Sequence, residues 1–197
     1  YALCGRGDIN AGMNMTNAGT DLQEIRTDVF WGEMTPCDHL VQIYEEDGEC
    51  LDSLEEFVAD GIRDGDGVIV LATQTHLKAL DDRLRAHGVD LDAARSSDQY
   101  ISMNAEEALS TFMVKGWPDD SLFRKFVKKL VARARSDGRR VRAFGELVAV
   151  LWARGDNGAT VRLEYLWHEL CHSEMLSLWC AYPRIGFTQD VTTSIKE

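Results

Sequence analysis

The sequence predicts an α/β protein, a three-layer sandwich in which a mostly parallel sheet of about five or more strands lies between helices. Short apolar runs alternate along the chain with longer segments whose apolar residues recur with helical spacing. One of the runs, 68–72, is apolar throughout, which is typical of a strand covered by helices on both faces. Regular alternation of strands and helices favours parallel pairing with a helical layer on each side.

The first half of the chain contains three strand patterns joined by two helix patterns. The strands are predicted at 39–44, 68–72 and 100–103. The helices are predicted at 48–62, where apolar residues have helical spacing, and at 75–88, where a glycine marks the helix end. Each helix therefore connects two strands, as in a parallel β-α-β arrangement.

The second half continues the alternation with four helix patterns and two strand patterns. Pro118 separates the first two of these helices, because proline disfavours a helical conformation at the residue before it. The predicted elements are helices at 104–115 and 119–136, a strand at 141–144, helices at 147–153 and 159–175, and a strand at 176–182.

The chain has 197 residues, which suits a single domain. We predict that domain over 37–190, where the alternating pattern runs without a low-complexity linker. Residues 1–36, rich in Gly, Asn and Thr at their start, are predicted to form a flexible N-terminal arm and lead-in. Residues 191–197 are predicted to form a C-terminal tail.

Charge and cysteine content restrict the class of partner and the compartment. The formal net charge of -12 predicts repulsion of nucleic acid and of anionic membranes over most of the surface. Five cysteines without a C-x-x-C pair, and no secretory signal at the start, indicate a reducing, cytoplasmic environment. Cys50, Cys171 and Cys180 are predicted to be small core residues.

The segment from His168 to His172 fits the H-E-x-x-H pattern of zinc proteases, in which two histidines one helical turn apart bind the metal. Both histidines are predicted to lie opposite the apolar face of their helix, and no clear third ligand follows them. They are weak metal candidates, and a zinc hydrolase is a distant alternative. We expect no metal and no cofactor.

Two further enzyme classes lack their motifs in this sequence. The loop after the strand at 39–44 carries four carboxylates and no lysine, whereas a phosphate-binding loop needs glycines and a lysine. This is evidence against an ATPase or a GTPase. No G-x-S-x-G nucleophile elbow is present either. The sequence therefore predicts a protein that is not an enzyme.

Polar residues stand at the carboxyl ends of the predicted strands, where ligands of open α/β sheets bind. They are Tyr44, Thr73, Glu146 and Tyr182. Glu146 follows an apolar strand and begins a helix, so an ordinary helix-starting carboxylate is an equally good interpretation. His39 opens the first strand, and it is either a ligand contact or a capping or core-edge residue.

Six segments taken together resemble one known family, although none would suffice alone. The segments are CDHLVQIYE at 37–45, GVIVLAT at 67–73, FMVKGWP at 112–118, RVRAFGELV at 140–148, LEYLW at 163–167 and LWCAYP at 178–183. In order and content they resemble the MEDS domain, the DcmR-type sensory domain named from methanogens and methylotrophs. The resemblance covers about 37–190.

The resemblance implies a RecA/KaiC-like fold without a Walker A motif and a sensory role beside sensor histidine kinases or transcription regulators. It also implies a small, hydrocarbon-like ligand. His39, Tyr44 and Glu146 are the polar positions that match the family pattern. The chain departs from that pattern at His168, where the family usually has Asn, and at Leu147, where Met is more usual.

The sequence and the resemblance together predict a non-catalytic bacterial sensory module of a signal-transduction system. The module is expected to bind an unknown small molecule, a signalling partner, or both, with His39, Tyr44, Thr73, Glu146 and Tyr182 as the ligand-binding residues. The alternative is a pure interaction or oligomerisation module, for example a homodimer, with no ligand. A change of Glu146 should disturb a ligand response only under the first hypothesis.

Overall fold

The computed structural model of the chain describes residues 38–184. Its elements are β1 (His39–Tyr44), α1 (Asp47–Arg63), β2 (Gly67–Ala72), α2 (Gln74–Ala86), α3 (Leu91–Ser96), β3 (Tyr100–Asn104), α4 (Ala105–Phe112), β4 (Met113–Val114), β5 (Trp117–Pro118), α5 (Asp120–Ala134), β6 (Val141–Gly145), α6 (Leu147–Ala153), α7 (Asn157–Glu174) and β7 (Ser177–Pro183). The predicted arm at 1–36 and tail at 191–197 lie outside the described residues. None of the described helices is long and apolar enough to span a membrane.

Five strands form one sheet in the order β1-β7-β6-β2-β3, and every neighbouring pair is parallel. The predicted α/β class with a mostly parallel sheet is therefore confirmed. The chain moves from β1 to β2 and on to β3, and then returns through β6 to β7. Right-handed crossovers, the rule for parallel strands, place the helices of the outward path and those of the return path on opposite faces of the sheet.

Two hydrophobic cores, one on each face of the sheet, confirm the layered arrangement. Helices α1 to α3 cover one face, where Trp179 packs edge-on against Phe144 at a ring-centroid distance of 4.6 Å. Helices α4 to α7 cover the other, where Trp167 packs against Phe123 at 5.0 Å. All of β2 is buried, as its apolar run predicts.

The amino ends of β2 and β6 are joined by a buried ion pair. Asp66, which precedes β2, accepts hydrogen bonds from Arg142 of β6, from Nε at 2.9 Å and from Nη2 at 2.5 Å. Arg140 donates from Nε to the second oxygen of Asp66 at 3.0 Å. Both Asp66 and Arg142 are at most 5% exposed, so removal of one partner would leave an uncompensated buried charge.

The structure departs from the predicted elements around a short hairpin. The helix predicted at 104–115 ends at Phe112, and β4 and β5 then pair antiparallel. Lys115 and Gly116 form the turn with φ values of 51° and 79°, the left-handed conformation that two-residue hairpin turns require. The predicted helix was too long because lysine is not a recognisable signal for this conformation. The short helix α3 was not predicted.

Candidate functional site

The carboxyl ends of β2 and β6 form the switch point of the sheet. These strands are neighbours, but the chain leaves β2 towards β3 and leaves β6 in the opposite direction, towards β7. Loops that diverge in this way leave a crevice outside the strand ends, the usual ligand position in open α/β sheets. Thr73 directly follows β2, and Glu146 directly follows β6.

The carboxylate of Glu146 joins the two sides of the switch point. Glu146 is 2% exposed, and its Oε2 accepts a hydrogen bond from the backbone N–H of Thr73 at 2.7 Å. Its Oε1 is hydrogen-bonded to Nδ1 of His76 in the first turn of α2. Its own backbone N–H donates to the carbonyl of Leu71 at 2.9 Å. The end of β6 is therefore tied to the end of β2 and to the start of α2.

This carboxylate occupies the place of an external anion. Thr73 is the N-cap of α2, and its hydroxyl accepts from the backbone N–H of His76 at 3.4 Å. The positive end of a helix dipole favours a negative group at this position, and phosphates bind at such places in other proteins. Glu146 makes no cap bond to its own helix α6. The interpretation of Glu146 as an ordinary helix-starting carboxylate is therefore incomplete.

Residues from β1 and α1 complete the site. Tyr44 and Cys50 are buried, and burial together with the nearby carboxylates of Glu146 and Asp47 raises the pKa of both groups. Both groups therefore stay neutral at physiological pH. Oδ2 of Asp47 lies 3.9 Å from Nε2 of His76. We call Tyr44, Asp47, Cys50, Thr73, His76 and Glu146 the switch-point cluster.

His76 is the titratable group at the centre of the switch-point cluster. Its hydrogen bond to Glu146 raises the pKa of the imidazole above 6.5, its ordinary value, and burial opposes this only in part. The negative charges of Glu146 and Asp47 act in the same direction as the hydrogen bond. The protonated form of His76 is therefore favoured in the folded protein.

A second group of polar residues lies on the opposite face of the sheet, beneath α7. Nε2 of His39 is 3.4 Å from Sγ of Cys180 and 3.3 Å from Oε2 of Glu164. The hydroxyl of Tyr182 donates to Oε1 of Glu164 at 2.5 Å. Burial and the charge of Glu164 raise the pKa of the Cys180 thiol well above its ordinary value. We call His39, Glu164 and Cys180 the His-Glu-Cys cluster.

The two histidines of the H-E-x-x-H segment do not form a zinc-protease arrangement. Their ring centroids are 4.8 Å apart, with His172 exposed. The carboxylate of Glu169 accepts from the hydroxyl of Tyr165 at 2.8 Å and pairs with Arg124, and both contacts lower its pKa. Within residues 38–184, no Cys, Asp or Glu side chain lies close enough to both histidines to share a metal ion with them. Only His168 approaches another candidate, since its ring centroid is 6.3 Å from that of His39.

The structure divides the predicted ligand residues between the two clusters. Tyr44, Thr73 and Glu146 lie together at the switch point, whereas His39 and Tyr182 lie on the other face. Whether these residues bind a ligand stays a prediction. Sequence reasoning missed the partners Asp47, Cys50, His76, Glu164 and Cys180. One signal for His76 was available, because it follows a strand-end threonine by three residues, the spacing of a helix first turn.

An open groove of about 460 Å³ runs beside α2, between that helix and the end of β3. Charged side chains line it, and Arg95 and Asp81 already pair there at 2.5 Å. None of the switch-point cluster lines it. The groove is therefore a polar surface adjacent to the switch point, and it is not the crevice itself.

Comparison with known families identifies the chain. Residues 38–196 match the model of the MEDS family, described as the MEthanogen/methylotroph, DcmR Sensory domain. Because the match covers most of the 197 residues, the chain belongs to this family. No curated protein matches it significantly. The predicted resemblance is confirmed, and the chain is a member of a sensory domain family.

Proposed function

We propose that this MEDS domain senses a small neutral molecule that enters the crevice outside the carboxyl ends of β2 and β6, and that it transmits binding to a signalling partner without catalysis. The observation that carries the proposal is the buried carboxylate of Glu146, which holds the N-terminus of α2 through Thr73 and His76. A ligand that competes for one of these contacts changes how β6 is tied to α2.

The charges of the site define the class of ligand. Glu146 and Asp47 place two carboxylates around the crevice, while Tyr44 and Cys50 are neutral. A phosphate or carboxylate ligand is therefore repelled. No described residue forms a hydrogen bond with the Tyr44 hydroxyl, which is available as a polar contact for an alcohol, aldehyde or ketone.

Gly145 gives the ligand access to the backbone at the switch point. A Cβ added to Gly145 would meet no heavy atom within 4 Å, even though the residue is buried at the end of β6. A small molecule can therefore approach the main chain here.

Transmission requires that the ligand bind one conformation better than another. The contacts of Glu146 with Thr73 and His76 are the element whose rearrangement would move the start of α2. The signalling partner, a sensor histidine kinase or a transcription regulator, would read the position of that helix. We propose further that the domain acts in the cytoplasm as a module of a two-component system.

The test combines native mass spectrometry with a thermal-shift panel. Gently purified protein should carry extra mass that is lost on denaturation, which gives the class of the bound molecule. Short alcohols, aldehydes and ketones should include compounds that raise Tm, while carboxylates and phosphate esters of equal size should not. A clean apo mass together with no stabilising neutral compound would contradict the proposal.

Two side chains of increasing size at Gly145 test whether the ligand binds beside this residue. Gly145→Ala should weaken the ligand-induced rise in Tm, and Gly145→Val should abolish it, because the added carbons occupy the space beside the main chain. Neither change requires a left-handed backbone, since the φ of Gly145 lies outside that region. The ligand-free Tm of each variant is the control. An undiminished response in Gly145→Val would exclude the crevice as the binding site.

A further inference from the structure

We propose that the His-Glu-Cys cluster is a binding site for a zinc-class divalent cation, held by Nε2 of His39, Oε2 of Glu164 and Sγ of Cys180. This site lies on the opposite face of the sheet from the switch-point cluster and is independent of the function proposed there. The three donor atoms lie within 4.8 Å of one another.

The separations of the donors fit a tetrahedral ion. Zinc bonds of about 2.0–2.3 Å to nitrogen, oxygen and sulfur place neighbouring donors roughly 3.3–3.6 Å apart in a tetrahedron. Nε2 of His39 is 3.3 Å from Oε2 of Glu164 and 3.4 Å from Sγ of Cys180. Imidazole, carboxylate and thiolate together suit a borderline cation such as Zn²⁺ better than a hard one such as Mg²⁺.

An unsatisfied oxygen points to a missing partner at the centre of the cluster. Oε2 of Glu164 is buried and has no hydrogen-bond partner among the described residues, although Nε2 of His39 is 3.3 Å away. A buried carboxylate oxygen without a donor is unfavourable. A bound cation would satisfy this oxygen.

Neighbouring residues support the ligands and leave one position open. The Tyr182 hydroxyl donates to Oε1 of Glu164 and so leaves Oε2 facing His39, in the way that hydrogen-bond partners of the ligands orient them at metal sites. His39 comes from β1, Cys180 from β7 and Glu164 from α7, so the ion would join the edge of the sheet to its covering helix. Three protein ligands leave the fourth position to water or to the nearby His168.

Binding involves one proton exchange. The S–H bond of Cys180 breaks, its proton passes to solvent, and a thiolate–metal bond forms. No oxidant or reductant takes part, because Zn²⁺ has no redox chemistry.

The experiment titrates the full chain with Co²⁺ as a spectroscopic substitute for Zn²⁺, after removal of metal with a chelator. Cys4 and Cys37, which lie outside the described residues, are replaced by Ser in every protein tested. One equivalent of Co²⁺ should produce a thiolate-to-cobalt charge-transfer band and intense tetrahedral visible bands. One equivalent of Zn²⁺ should displace it, with a matching rise in Tm.

Variants assign the ligands. Cys180→Ser should remove the charge-transfer band, and Glu164→Gln should weaken Co²⁺ affinity at least tenfold while the band persists at saturation. Cys50→Ser is the matched control, because Cys50 is equally buried but lies on the other face of the sheet. Cys50→Ser should leave both the charge-transfer band and the Co²⁺ affinity unchanged. If Cys180→Ser does not unfold cooperatively, it is not properly folded and its spectrum is not used. The Co²⁺ affinity of Glu164→Gln then tests the proposed site.

Three outcomes would overturn the proposal. The first is failure of the starting protein to take up stoichiometric Co²⁺ or Zn²⁺. The second is uptake that Glu164→Gln leaves unchanged. The third is loss of uptake in His172→Ala with retention in Cys180→Ser, which would instead assign the metal to the H-E-x-x-H pair.

Discussion

The two ends of β2 and β6 carry different kinds of charged contact. At the amino ends, Asp66 is held by the guanidinium groups of Arg142 and Arg140. At the carboxyl ends, Glu146 is held by a backbone N–H and by the imidazole of His76. Both carboxylates are at most 4% exposed and both tie the same two strands together. Only their partners differ.

The difference in partners separates a structural contact from a responsive one. Arginine stays charged at every physiological pH, so the contact at the amino ends has a single state. Histidine changes charge near neutrality, and the contact at the carboxyl ends can therefore be altered by a proton or by a competing ligand. Titratable groups with shifted pKa values concentrate at functional sites. We therefore propose that the contact at the amino ends is structural and that the contact at the carboxyl ends takes part in sensing.

The largest effect is expected at the amino ends. Asp66→Asn should lower the free energy of unfolding by about 3 kcal/mol, because the buried guanidinium of Arg142 loses its counter-charge. Urea denaturation measures this. Asp64→Asn is the matched control, since Asp64 is 41% exposed and its Oδ2 is 3.7 Å from Arg142. It should cost less than about 1 kcal/mol. Equal costs for the two variants would show that burial does not distinguish the pairs.

A smaller loss of stability is expected at the carboxyl ends. Glu146→Gln should lower the free energy of unfolding by about 2 kcal/mol, because a neutral amide replaces the carboxylate that is hydrogen-bonded to His76. The amide oxygen can still accept from the backbone N–H of Thr73, which limits the loss. The same urea experiment applies. A cost as large as that of Asp66→Asn would mean that this end of the strands is equally structural.

The smallest effect is a pH dependence that only the carboxyl ends should show. The folded protein raises the pKa of His76 above 6.5, chiefly through the hydrogen bond to Glu146. The resulting stabilisation is complete below the unfolded pKa and is lost as pH rises through the folded pKa. The difference in unfolding free energy between the wild type and His76→Gln should therefore shrink as the pH rises above 6.5, the ordinary pKa of the imidazole. A constant difference would rule out a titrating His76.

Sequence patterns were sufficient for the fold class because they report burial. The apolar run of β2 predicted a strand covered on both faces, and the order of strands and helices predicted parallel pairing. The hairpin at 113–118 was missed because its turn depends on a left-handed Lys115, which local sequence does not signal. The strand order was not predictable, since it depends on which helices pack on which face.

The site was predictable only where position along a strand determines position in space. Thr73 and Glu146 were identified because carboxyl ends of parallel strands share one edge of a sheet. Cys180 was interpreted as a small core residue, and it is indeed fully buried. Its proximity to Glu164 depends on how α7 lies across β7, which helical spacing alone does not determine. His39 and Tyr182, which were predicted as ligand residues, lie beside Glu164 and Cys180. This proximity also depends on how α7 lies across the sheet.

The most direct test of the central claim measures the ligand-induced rise in Tm, with the best compound of the neutral panel, in three proteins. The wild type and Asp66→Asn should show the same rise, although Asp66→Asn unfolds at a lower temperature without ligand. Glu146→Gln should show little or none, because its change lies at the switch point. Retention of the full rise in Glu146→Gln, or its loss in Asp66→Asn alone, would contradict the assignment of sensing to the carboxyl ends.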